Sequence, residues 1–190
     1  GIGVKLLLAC KKEMIKIAEK LNIAPILHWT YDPWQGGNAR LYLHKIGAIT
    51  SSFEPNYYGK LTGINAGMRS DRLKVVWDVL KEKTNVKNRI NENVFNTNSV
   101  EEKDGFPSIN IIKLDKKQDI VIVNIPKNLE DIKNGSKKRT IELQEKFAEI
   151  ITYYFKHGFV CVDLLSSKEL KNNNKYNSYV LIKKEHLKKF

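Results

Sequence analysis

Between Ile26 and Gly47 the chain reads ILHWTYDPWQGGNARLYLHKIG. The apolar run from Pro25 to Tyr31 stops at Asp32-Pro33, where proline removes a ladder donor and restricts the residue before it. Gln35-Gly36-Gly37 supply a turn, and Asn38 is a good N-cap for a short helix. Ala39, Leu43 and Ile46 recur three or four apart on that helix, and Gly47 stands at its C′ position. The stretch therefore predicts a strand, a loop and a helix, with polar residues gathered at the strand's C-terminal end. Open α/β sheets bind their ligands at that end. Trp29, Tyr31, Asp32 and Asn38 become the first candidates for a site.

The flanking sequence extends this pattern. From Val4 to Asn22, Leu7, Cys10, Met14, Ile17 and Leu21 keep a 3-4 spacing, which predicts an amphipathic helix with one buried stripe. Gly1-Ile2-Gly3 opens it, and a Gly-x-Gly at a helix start lets the backbone come close to a phosphate. After Gly47, strands are predicted at Ala48–Phe53 and Leu73–Leu80, with a glycine-containing loop from Tyr57 to Gly67 between them. Lys81 to Gly105 is asparagine-rich and aperiodic, and reads as a linker or long loop. Strands follow at Ile109–Leu114 and Ile120–Ile125. A helical stretch from Leu129 to His157 carries Leu143, Phe147, Ile150 and Tyr154 on one face. Phe159–Leu165 and Ser178–Ile182 complete the strands, with a turn at Lys171–Lys175. The expected class is α/β, in two units covering 1–83 and 106–190 around the segment 84–105. Strand, helix, strand recurs in both halves without a residue-level repeat, and the second half shows no evident chemical constellation.

A length of 190 residues holds one medium domain or two small ones. No apolar run approaches the roughly 20 residues needed to span a bilayer. Cys10 and Cys161 lie far apart, with no CxxC and no histidine at ligand spacing, so neither a disulfide scaffold nor a metal is expected. Both read as core thiols in a reducing, cytoplasmic setting. The net charge is +12, from 28 Lys and 5 Arg against 21 acidic residues. Readers of bases and phosphates favour the arginine fork, which is scarce here. A basic RNA-associated module is thus the weakest reading, whereas steering of a polyanionic ligand fits the charge.

Taken in series, Gly1-Ile2-Gly3, helix, strand, turn, Asn38-Ala39, helix and Lys45-Ile46-Gly47 resemble the second half of a GNAT-superfamily acyltransferase domain. WTYDPWQGGNARLYLHKIGA, with Tyr57-Tyr58-Gly59, Ile64-Asn65-Ala66-Gly67 and Ser70-Asp71-Arg72-Leu73, is similar to an uncharacterised archaeal and bacterial branch of predicted acetyltransferases. That branch carries an extra C-terminal region, here residues 106–190. The resemblance implies an N-terminally truncated half domain, with the first places of the pyrophosphate loop and its preceding strands expected before Gly1. It implies acetyl-coenzyme A, or another acyl-coenzyme A, as co-substrate and a small-molecule or protein amine as acceptor. Gly1, Ile2, Gly3, Val4 and Asn38 would hold the donor. Trp29, Tyr31 and Arg72 would line the acceptor side, and Asp32 and Tyr42 are the candidates for proton transfer. Asn38 also reads as a plain cap, Asp32 as an Asx-turn residue, and Arg40 and Arg72 as ion-pair partners of Asp71 or Asp32. Family members commonly place a tyrosine where this chain has Leu43. Tyr42 stands one position earlier, a rotation of about 100° on an α-helix. That departure motivates the alternative of a non-catalytic acyl-coenzyme A-binding or interaction domain.

Overall fold

The computed structural model describes residues 1–86, 90, 94–127, 129–167, 169–170 and 176–189. The turn expected at 171–175 lies outside the described residues. Helix α1 (Ile2–Leu21) is ended by the left-handed backbone of Asn22 and leads to strand β1 (Ile26–Tyr31). One turn of helix, α2 (Gly36–Ala39), runs directly into a π-wound segment (Arg40–Lys45). Strands β2 (Ile49–Glu54) and β3 (Arg72–Asp78) follow. Next come a short β4 (Phe95–Asn96), the hairpin β5 (Asn98–Lys103) and β6 (Phe106–Ile111), and β7 (Ile120–Pro126). Helices α3 (Leu129–Gly135) and α4 (Lys137–Lys156) then lead to β8 (Phe159–Ser166) and β9 (Tyr176–Lys183).

Seven strands form one mixed sheet in the order β1-β3-β2-β8-β9-β7-β4, while β5 and β6 pair by themselves. Among the described residues only β4 on β7 is parallel. The connectivity is a repeat. β1, α2 with its π segment, β2 and β3 make a split β-α-β unit in which β3 lies between β1 and β2. β7, α3 with α4, β8 and β9 make a second, with β9 between β7 and β8. The two units meet through β2 and β8, which are antiparallel and paired at Thr50 and Cys161. Each strand carries a register shift at the same place, between Thr50 and Ser52 on β2 and between Cys161 and Asp163 on β8. Thr50 and Cys161 thus occupy equivalent positions, and both are fully buried. A bulge locally reverses the in-out alternation of a strand.

One face of the sheet packs under the helices. Leu43 of the π segment and Phe147 of α4 join Leu73, Val75, Tyr179 and Leu181 in a continuous, fully buried core. Val160, Val162, Val180 and Ile182 point to the other face and meet Val86. Strand β7 is buried at all seven positions. A strand covered on both faces reads as an unbroken apolar run, as IVIVNIP does.

Several expectations need correction. The stripe of α1 is not core: the helix buries only Ala18, which lies outside the stripe, while Leu7 and Met14 are half-buried and Ile17 and Leu21 are exposed. Cys10 is exposed, whereas Cys161 is buried as expected. The segment 84–105 contains β4 and β5 among its described residues, and Thr97 and Asn98 are fully buried there. Asparagine concealed this. The Asn98 side chain bonds both the N–H and the C=O of Asn124, replacing ladder groups that apolar residues leave to the backbone. Strands from both halves of the chain share the seven-stranded sheet. The Leu129–His157 helix is broken at Ser136, whose hydroxyl caps α4 by accepting the Arg139 N–H at 3.3 Å. Asn38 is not a cap: Gln35 occupies the N-cap of α2, and the Asn38 N–H donates to the Gln35 carbonyl at 2.9 Å.

Candidate functional site

Three regions gather chemistry near the end of β1. The first is the start of α1. No side chain caps it, and its first turn holds no acidic residue. The leading N–H groups of an α-helix lack acceptors within the helix and sit at its positive dipole end. Gly3 rests against the π segment, for a Cβ there would come 3.0 Å from Leu41 Cδ2. The helix start is therefore adjacent to the helix that follows Asn38. Gly1 and Ile2 are exposed, Gly3 and Val4 half-buried, and Asn38 is exposed on α2.

The second region is aromatic. Trp29 and Tyr31, two apart on β1, both meet Tyr42 edge-on, at ring-centroid distances of 5.1 and 5.6 Å. His28, which precedes Trp29 on the strand, is exposed on the opposite side. The π winding decides which side chain arrives here. The Ile46 N–H reaches back to the Leu41 carbonyl at 3.2 Å, a five-residue step that widens the turn. Leu43 enters the core, and Tyr42 faces β1. Gly47 closes the segment with φ +74°, and a Cβ at that position would lie 2.7 Å from Lys83 Cβ. Backbone handedness and close approach both demand glycine there. The Trp29 indole N–H is buried without an acceptor among the described residues. Burial drives the Tyr31 and Tyr179 phenols well above the ordinary range, and Tyr179 donates to the Pro33 carbonyl at 2.5 Å.

The third region is a cleft of about 600 Å³ between the two units. Asp32, Trp34, Arg69 and Arg72 line it from the first unit, and Lys127 and Gln144 from the second. Asp32 makes the Asx turn anticipated for it, accepting the Trp34 N–H at 2.9 Å. Burial pushes its carboxyl above the ordinary value, outweighing the Trp34 N–H and the nearby Arg72, which pull it down. Arg69 is engaged by Asp71 at 2.8 Å, whereas Arg72 donates to the Asp71 main-chain carbonyl and lies 4.8 Å over the Tyr58 ring. The Trp34 indole N–H and the Gln144 carbonyl oxygen are buried with no partner among the described residues.

Of the residues singled out from sequence, the fold brings Trp29, Tyr31 and Tyr42 into ring contact, and Asp32 and Arg72 into one cleft. Of Gly1 to Val4, Gly3 packs on Leu41 of the π segment. Sequence reading missed the second unit's part in the cleft and a charged network that joins the two units. There Arg40 grips Glu169 with two bonds of 2.6 and 3.1 Å. His44 lies between Asp163, at 2.9 Å, and Glu169, at 3.4 Å. Lys83 reaches Asp163 at 3.4 Å and donates to the His44 carbonyl at 2.6 Å. Burial raises the Glu169 carboxyl, but Arg40 and the N–H and hydroxyl of Ser166 overcome it and bring it down to about 2. No local signal announces a partnership between His44 and Asp163, which lie 119 positions apart.

No protein-family profile, curated protein or solved structure matches this chain. Among the described residues no helix is long and apolar enough to cross a membrane, and no group of three His, Cys, Asp or Glu side chains is disposed to hold a metal ion.

Proposed function

We propose that this chain carries the donor and acceptor elements of an acyl-coenzyme A-dependent N-acyltransferase, with acetyl-coenzyme A as donor. The observation that carries the reading is the uncapped start of α1, free of acidic side chains and seated on the π segment beside β1. Backbone amides of Ile2, Gly3 and Val4 would receive the donor diphosphate, the arrangement by which helix N-termini hold anions. The net charge of +12 draws such a ligand in. Pantetheine would run along β1 toward Trp29, Tyr31 and Tyr42.

The chemistry is positioning plus proton transfer. An ammonium acceptor loses one proton to become nucleophilic, and Asp32, with its raised pKa, is suited to take it. The amine nitrogen attacks the thioester carbonyl. A C–N bond forms, the C–S bond breaks, and the departing thiolate is protonated. One ammonium and one thioester give one amide, one thiol and one proton. Tyr42, which meets Trp29 and Tyr31 of β1, would serve the leaving sulfur.

A second reading, a domain that binds acyl-coenzyme A without turnover, is favoured by one observation: Leu43 is fully buried and brings no hydroxyl to the site. Calorimetric titration with acetyl-coenzyme A tests both. Saturable binding is expected, and Ile2→Asp, a fully solvated substitution that favours the helix but repels a diphosphate, should weaken it about tenfold or more. Absence of binding at millimolar ligand would end both readings, and binding without turnover on an amine panel would select the second.

A further inference from the structure

The cleft between the units carries opposite charges that are not spent on each other. Asp32 and Arg72 both line it, yet no ion pair joins them, and Arg72 has no carboxylate partner among the described residues. The remaining surface is amphipathic. Trp34, Leu61, Met68 and Leu129 supply apolar lining, and Gln144 adds a polar side chain. A volume of about 600 Å³ is in the range of small-molecule sites. Charges of both signs line it, Arg69, Arg72, Lys127 and Lys133 with Asp32, Glu130 and Asp131.

We propose that this cleft binds a free α-amino acid with an apolar or aromatic side chain, its ammonium group facing Asp32 and its carboxylate facing Arg72. The guanidinium fork matches a carboxylate in two-point geometry, and a carboxylate partner completes the ammonium. Trp34 and Met68 then cover the side chain. The inference rests on the acyl-transfer reading in naming the amino acid as acceptor; occupancy of the cleft itself needs no coenzyme.

The test is accordingly run without coenzyme A. The protein is titrated with L-phenylalanine, L-leucine, phenethylamine and N-acetyl-L-phenylalanine, followed by calorimetry and saturation-transfer NMR. Phenylalanine is expected to bind saturably. Phenethylamine, which lacks the carboxylate, and the N-acetyl compound, which lacks the ammonium, should each bind about tenfold more weakly or worse. Arg72→Gln should abolish the preference over phenethylamine, and Asp32→Asn the preference over the N-acetyl compound, with folding of each variant verified by thermal melting. No saturable binding of either amino acid at roughly 10 mM, or equal binding of phenylalanine and phenethylamine by the unaltered protein, would overturn the proposal. Amino-acid binding in a protein that ignores acetyl-coenzyme A would instead refute the donor reading while leaving this site standing.

Discussion

Two helices of this protein, α1 and α4, are each 20 residues long and each carry an apolar stripe at helical spacing. Their fates differ. Helix α4 buries seven residues, with Phe147, Ile150, Ile151 and Tyr154 wholly enclosed. Helix α1 buries Ala18 alone and leaves Ile2, Leu6 and Leu21 more than half exposed. Periodicity reports that a segment is helical and which face is apolar; it does not report whether another element lies against that face. In the second unit the helix spans β7 to β8 and is held over the sheet by its connections. In the first unit that position is taken by α2 and the π segment, and α1 precedes the unit's first strand. The same contrast separates the outer strands: β7 carries β4 on its far edge, whereas β1 pairs with β3 alone.

The contrast is testable by substitution. Phe147→Ala should cost about 3–5 kcal/mol in urea unfolding, since the ring touches Trp34, Phe53 and Tyr179. Leu6→Ala on α1 should stay within about 0.5 kcal/mol. A loss of comparable size at Leu6 would mean that the α1 face is covered in solution.

The link between the units comes next in size. Glu169→Gln removes the charged partner of Arg40 and His44 and should destabilise by about 1–3 kcal/mol at neutral pH. The sign with pH follows from a carboxyl held at about 2 against an ordinary 4.5. Its contribution is present above 4.5 and is lost as pH falls toward 2. The gap between the native protein and Glu169→Gln should accordingly close over that interval in acid-dependent melting.

Asp32→Asn should act in the opposite direction. Burial raises this carboxyl, so ionisation favours the unfolded chain, and the amide should raise the melting temperature at neutral pH. The gain should vanish as pH drops through the ordinary carboxylate range. Stabilisation coupled to loss of acceptor binding is the signature of a residue kept for function.

Much of the first unit was legible because its signals are local. Asp32-Pro33 ends β1, Gly47 adopts the positive φ expected of a C′ residue, and Asp32 makes its Asx turn. The π winding was not legible, since nothing in Arg40–Lys45 distinguishes a five-residue hydrogen-bond step from a four-residue one. It matters because it turns Tyr42 toward β1. The second unit's chemistry was invisible for another reason: Asp163 and Glu169 acquire meaning only when β8 is laid against the π segment. Asparagine misled most, for Asn98 and Asn124 bond each other's backbone inside the core, where composition predicted a solvated linker.

The proposed seat of the donor diphosphate is the set of first-turn amides of α1. Amide-resolved NMR during titration with acetyl-coenzyme A measures this directly. The largest shifts are predicted at Gly3 and Val4, with smaller ones along β1. Saturable binding that leaves those amides unmoved, or no binding at all, would contradict it.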